Sequence, residues 1–262
     1  MIDVNVSLSR WPFRRLPLDE PAKLVDALER LGVTRAWAGS FDGLLHRDVA
    51  AVNIRLADDC RAHGDGLLVP FGTVNPTLPD WRDDVRRCHE VHRMPGIRVH
   101  PSYHGYSLDD PRFAALLDEA TERSLLVQVS AAMEDERTQH PLVRVPPVDL
   151  APLEALVLRH TSVKIVLLNA LLRPVDGVFK RLIATGRVWA DTAMLEGVAA
   201  IERAVAAFGP DRLMVGSHAP FYCPDAAPLK LQESDLKDAD RAAIADGNAR
   251  ALIGPPRVAP SR

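Results

Sequence analysis

Short runs rich in Val, Ile and Leu alternate with amphipathic stretches of helical period from one end of the chain to the other. This alternation narrows its fold more than any other feature. The runs span 2–6, 34–38, 67–73, 96–99, 125–129, 163–168, 187–190 and 212–216, and each closes on a polar residue, a glycine or a proline. Near-continuous apolar character, rather than strict alternation along the run, is what parallel strands buried on both faces require. Between them, 21–31 carries Leu24, Val25, Leu28 and Leu31 at helical spacing and stops at Gly32. Stretches 48–63, 80–92, 109–123, 152–160, 178–185, 195–208 and 238–253 follow the same logic. Asp110-Pro111 reads as an N-cap followed by proline at the first helical position.

Eight strands and eight helices in strict order within 262 residues match a single closed (β/α)8 TIM barrel. A doubly wound open sheet is the alternative, but it more often stops at five or six strands. No linker or repeat divides the chain, so one barrel domain is expected over 1–254, with 255–262 as a Pro-rich tail.

Composition excludes several function classes. A formal net charge of −3 with 26% charged residues is not that of a strongly basic nucleic-acid binder. No apolar run approaches the ~18–20 residues needed to span a bilayer. The opening MIDVNVSLSRWPF lacks a basic segment leading into an apolar one, so no secretory signal is expected. Cys60, Cys88 and Cys223 are odd in number and far apart, which argues against a disulfide framework or a zinc knuckle. A cytoplasmic protein handling a small molecule, with no nucleic-acid or membrane partner, is the expectation.

In a parallel barrel the active site gathers at the C-terminal ends of the strands. Those ends carry Asn5 and Ser7, His100, Ser130, Asn169, Asp191 and His218. Asn5 and Ser7 are two apart and face the same way. Polar residues end strands in every protein, so any one of these positions alone reads first as a loop start or a cap. The barrel makes the set converge. His218 offers a group that titrates near neutrality. Asp191 would orient it, or else cap the following helix. Arg137, in the loop after the strand ending at Ser130, could grip a carboxylate or pair with Glu134 or Asp135 on its own loop.

The order of several motifs resembles the amidohydrolase-related ("amidohydrolase 2") branch of the metal-dependent hydrolases. These are Asp3-Val4-Asn5-Val6-Ser7 with Arg10-Trp11-Pro12-Phe13, and Gly96-Ile97-Arg98-Val99-His100-Pro101 with Tyr103-His104-Gly105-Tyr106. Further on come Asp109-Asp110-Pro111, Met133-Glu134-Asp135-Glu136-Arg137 with His140-Pro141, Gly216-Ser217-His218-Ala219-Pro220, and Gly247-Asn248-Ala249. The resemblance implies a divalent metal such as zinc, held by His-x-His on strand one, a histidine at the ends of strands five and six, and an aspartate on strand eight. Here those positions hold Asn5, Ser7, Ser130, Asn169 and His218.

Neutral amide and hydroxyl oxygens are weak zinc ligands, and one imidazole does not hold the ion against water. No cofactor is therefore expected, unless His100, His104, His140 and His218 form a relocated site. The function expected is that of a hydrolase or related lyase on a small carbonyl or carboxylate compound, with catalytic His218 and Asp191. Asn5, Ser7, His100, Ser130, Arg137 and Asn169 would contact substrate. The alternative is a non-catalytic barrel that binds a small ligand or a partner. A homodimer is compatible with the family.

Overall fold

The computed structural model describes residues 1–64, 66–170 and 177–254; the expected tail, 255–262, lies outside them. The strands are β1 (Ile2–Leu8), β2 (Arg35–Ser40), β3 (Leu68–Pro70), β4 (Gly72–Thr73), β5 (Gly96–Val99), β6 (Leu126–Ser130), β7 (Ile165–Leu168), β8 (Val188–Asp191) and β9 (Leu213–Met214). All pair in parallel, in the orders β1-β2-β3 and β4-β5-β6-β7-β8-β9. The breaks in this order are bridged. β3 and β4 are two pieces of one barrel strand either side of Phe71, whose N–H reaches the Ala38 carbonyl at 2.8 Å. The N–H groups of Val4 and Ser7 reach the carbonyls of Val215 (2.9 Å) and Ala219 (2.8 Å), which closes the ring. Eight strand positions thus form the closed barrel that the alternation implies.

The helices are α1 (Pro21–Arg30), α2 (Val49–His63), α3 (Trp81–Glu90), α4 (Pro101–His104), α5 (Pro111–Glu122) and α6 (Leu153–Arg159). They continue with α7 (Gly177–Ala184), α8 (Ala200–Phe208), α9 (Ala226–Glu233), α10 (Asp238–Ala242) and α11 (Asn248–Ile253). The Asp110 carboxylate does cap α5, accepting from the Arg112 N–H at 2.8 Å, and Phe113, Leu116, Leu117 and Ala120 are its buried face. Each such side chain contributes roughly 1.5–3 kcal/mol when fully buried, alanine less. Asn53 locks α2 to β4 by bonding both the N–H and the carbonyl of Thr73.

Helical expectations change at several points: α4 is a single turn with no expected counterpart, and 238–253 divides into α10 and α11 about a wider turn at Ala243–Gly247. The stretch 195–208 becomes helical only from Ala200, because Gly197 (φ 94°) and Ala199 (φ 51°) turn left-handed and hold 195–199 as a loop. α9 has no counterpart in the expected set; its hydrophobic stripe is too weak to announce it, with only Ala227 and Leu231 buried.

The interior is layered. Its N-terminal end is an apolar plug that includes Ile2, Val4, Trp37, Phe71, Val166, Trp189 and Met214, stopped by Ala249 of α11. The ladder between β1 and β2 slips between Asp3 and Val6. That bulge reverses the strand's facing. Ile2 and Val4 belong to the interior plug, whereas Val6 and Leu8 pack outward under the helices. Asn5 and Ser7 are thereby turned into the barrel.

Candidate functional site

Above the plug lies a layer that strand patterning does not anticipate. Arg98 of β5 and Gln128 of β6 are register partners, and the Arg98 Nε donates to Gln128 Oε1 at 2.8 Å. One terminal nitrogen of Arg98 reaches the Val6 carbonyl (3.0 Å) and Ser7 Oγ (3.3 Å), and the other reaches the Trp37 carbonyl (3.1 Å). Gln128 completes the span by donating to the Val4 carbonyl at 2.8 Å. Burial lowers the guanidinium to about 10, against the pull of Asp191 and Asp3, so it stays charged at neutral pH. A Cβ on Gly39 would fall 2.6 Å from an Arg98 nitrogen, so this cation needs a glycine beside it.

One layer higher, four of the expected site residues form a directed chain. The Asn5 amide donates to Asn169 Oδ1 (2.8 Å) and to Asp191 Oδ2 (2.5 Å). The Asn169 N–H donates to Asp191 Oδ1 at 3.0 Å. The Asn169 amide donates to the Ala132 carbonyl (2.8 Å) and lies 3.4 Å from His218 Nδ1. The other His218 nitrogen, Nε2, is 2.8 Å from the Met133 carbonyl, so Nε2 carries the proton and Nδ1 accepts. Relative exposures are 1% for Asn5 and His218 and 0% for Asn169 and Asp191. Asn169 and His218 both hold left-handed backbones, with φ of 58° and 56°. Side chains accept that conformation at a cost of order 1–3 kcal/mol, where the surroundings impose it.

Electrostatics reverse which of Asp191 and His218 titrates near neutrality. Burial pushes the Asp191 carboxyl up to about 6, against the hydrogen bonds that favour its ionised form. Burial lowers His218 to about 4, with its Met133 bond opposing and Arg98 assisting. The aspartate, not the histidine, is therefore the group that titrates near neutrality. The two meet only through Asn169. Asp3 is also raised to about 6 by burial, and it accepts from the N–H groups of Asn5 and Ser217 at 3.0 Å each.

The remaining expected residues divide. Ser7 joins Arg98, and Ser130 donates to the Met133 sulfur at 2.9 Å. His100 is 3% exposed with both ring nitrogens unpartnered, its ring 5.8 Å from that of His104. Burial and the neighbouring His104, Arg98 and His218 hold it well below the usual imidazole range. Arg137 is turned outward, its side chain 89% exposed, and pairs with Asp135 at 2.6 Å.

An apolar cluster roofs the strand ends. Met133 packs with Trp11, Leu16, Phe41 and Leu44, and with Phe13, Tyr103 and Phe221 at their margin. Phe221 stacks on His218 with centroids 5.0 Å apart. Arg14 and Glu134 pair at 2.6 Å across this roof. A cavity of about 740 Å³ opens beside it and reaches the chain at Asn169, with Ala131, Ala132 and Arg137 in its wall. A second, of about 890 Å³, reaches Gly216 and Ser217 from the α9 side. Sequence reasoning missed Asp3, Gln128 and the Ala132–Met133 carbonyls as site components. Arg98 carried a signal, a lone charge in an apolar strand.

Among the described residues no group of three His, Cys, Asp or Glu side chains could hold a metal ion. His140 stacks on Phe13 at 6.0 Å, and the ring nitrogens of His218 are engaged as described. The relocated histidine site is thus not formed, and the residues as arranged do not fit a divalent ion. The three cysteines are free. Among the described residues no helix is long and apolar enough to cross a membrane.

A family model described as "Amidohydrolase" matches residues 11–254, beginning just after β1. No curated protein matches. Among solved structures, the chain is similar to 2,6-dihydroxybenzoate decarboxylase from Rhizobium (TM-score 0.76, 16% identity, covering 96% of this chain and 97% of that one). It is also similar to dihydroxybenzoic acid decarboxylase from Polaromonas sp. JS666, with bound manganese and 2-nitroresorcinol (TM-score 0.77, 14% identity, 96% of both chains). A third is the 5-carboxyvanillate decarboxylase of Novosphingobium aromaticivorans, also with manganese (TM-score 0.75, 15% identity, 96% of both chains). At these identities the likeness establishes the barrel fold. The manganese bound in these neighbours contradicts the expectation that this chain takes no cofactor. Solved structures of this fold hold manganese.

Proposed function

The chain belongs to the amidohydrolase family, and from that premise we propose that it is a lyase acting on a small carboxylate at the Asn5–Asn169–Asp191–His218 chain. The observation that carries this reading is geometric. The 740 Å³ cavity ends at Asn169, and Asn169 is bonded to Asp191 and lies against His218. A carboxylate substrate brought to Asn169 lies one side chain from an acid of suitable strength. The neighbours named as decarboxylases of aromatic carboxylates support the substrate class.

In a decarboxylation the carbon–carboxylate bond breaks and CO2 leaves. The electron pair stays on the substrate carbon, which takes a proton. Asp191, raised to about 6, holds such a proton in part of the population at neutral pH and regains one from water. His218 stays uncharged and positions substrate oxygen through its Nε2 proton. The exchange of the family's ligand positions for Asn5, Ser7, Ser130, Asn169 and His218 belongs to this reading, since it places neutral hydrogen-bonding groups where four imidazoles and one carboxylate are the norm.

The test is CO2 release from a panel of hydroxybenzoates and short aliphatic acids, compared with the Asp191→Asn variant. Release from at least one acid, lost in the variant, is expected. Release that survives the substitution sinks the reading.

A further inference from the structure

The donors of the site are already occupied, and by the chain itself. The Asn169 amide and His218 Nε2 each aim one N–H at successive backbone oxygens, those of Ala132 and Met133, both at 2.8 Å. Two N–H groups converging on two neighbouring oxygens is the arrangement in which a carboxylate is bound. Both donors are buried, both are held in left-handed backbone, and Nε2 must carry its proton to face a carbonyl. The Arg98 charge in the layer below reaches His218, and protonation of Asp191, bonded to Asn169, removes the opposing negative charge beside the pair.

The geometry points to Asn169 and His218 as the substrate's carboxylate-binding pair, with the Ala132 and Met133 carbonyls as an internal stand-in. Residues 132–134 then form a plug that must withdraw before substrate can bind. This rests on the carboxylate reading above.

The segment is anchored at its start, where the Ala131 N–H reaches the Leu168 carbonyl (2.9 Å) and the Ala131 carbonyl accepts from the Val148 N–H (2.8 Å), so it is residues 132–134 that swing. Ser130 holds the Met133 sulfur, and Arg14, 43% exposed, holds the buried Glu134 carboxylate. The Met133 side chain is an unbranched gap-filler among aromatic rings, the residue type that repacks most readily. Ala131, Ala132 and Glu134 also line the 740 Å³ cavity, so the segment has room on one side. A ligand that takes the two donors gains charge-assisted hydrogen bonds in place of neutral ones, and those are about twice as strong. That difference is what displaces the plug.

Benzoate serves as the probe, with calorimetry for affinity and hydrogen exchange for the segment. Asn169→Gly keeps the left-handed backbone and removes the donor, and it should weaken benzoate about tenfold. Glu134→Gln loosens the plug and should tighten benzoate several-fold, with a melting transition showing that the variant is folded. Saturating benzoate should raise amide exchange within 132–139. Equal affinity in wild type and Asn169→Gly overturns the inference, as does unchanged or slower exchange of 132–134 in the bound state. Absence of benzoate binding to both wild type and Glu134→Gln overturns it too. Failure to release CO2 from any acid, with these binding results intact, sinks the lyase reading alone.

Discussion

The Asn5 amide lies 2.5 Å from the Asp191 carboxylate, joining β1 to β8 across 186 residues of sequence. The contact exists because a bulge in β1 turns Asn5 inward, and it leaves Asp191 surrounded by donors and fully buried. The carboxyl is thus pulled in opposite directions, by hydrogen bonds toward the charged form and by burial toward the neutral one, and burial prevails.

Asp191→Asn should lower the rate of CO2 release at least ~100-fold with little change in substrate affinity, since it removes the proton and keeps the shape. In the proposed mechanism the proton-bearing form acts, so kcat should fall as pH rises through about 6. A pH–rate profile of wild type checks the sign; a rate that climbs through the same window is the contrary result.

Stability should respond to pH through two opposed groups. Asp3 titrates at about 6 when folded against an ordinary 3.8, so its contribution is fully present below the lower value and is lost as pH rises through 6. His218, lowered from 6.5 to about 4, acts the other way: its contribution is present above 6.5 and is lost as pH falls toward 4. Between pH 7 and 4.5, Asp3→Asn should lose roughly 2–3 kcal/mol relative to wild type, and His218→Phe should gain relative to it. Denaturant unfolding across that range measures both, and shifts of the same sign contradict the assignment.

Gly39→Ala places a methyl group 2.6 Å from a fully bonded Arg98 nitrogen. Overpacking of this kind should cost roughly 1–3 kcal/mol. Arg98→Met should cost roughly 3 kcal/mol or more, because it strands the oxygens of Val6, Trp37 and Gln128. Chemical denaturation of the two variants, alone and combined, checks that both act on one cation. If so, the double variant loses less than the sum.

Gly216→Ala sets a Cβ 2.7 Å from Asp191 Oδ2 and 2.8 Å from its Cβ. The carboxylate must move, so the rate should drop by about tenfold or more, alongside an overpacking cost of roughly 1–3 kcal/mol that denaturation measures separately. Full activity in this variant would show that Asp191 is not held where the reaction needs it.

Much of the architecture was legible because it is written locally. Parallel strands buried on both faces need the apolar runs seen at 96–99 and 163–168, and the Asp110-Pro111 start of α5 is a short-range signal that the helix obeys. Asn5, Asn169, Asp191 and His218 were legible as a group because a closed barrel converges its strand ends. The exposure and pairing of Arg137 were not, since two adjacent readings of one loop differ only in which carboxylate the guanidinium meets.

The order of residues by itself determined the barrel, since period and length leave few other ways to bury so many apolar faces. Tertiary structure alone decided what the strand ends are worth chemically. Whether Asp191 or His218 titrates near neutrality depends on how much water each has lost and which donors surround it. Whether the mouth is open depends on a roof assembled from Trp11, Phe41, Met133 and Phe221, which are distant in the chain. Desolvation and packing are sums over neighbours from every strand, and no local pattern carries them.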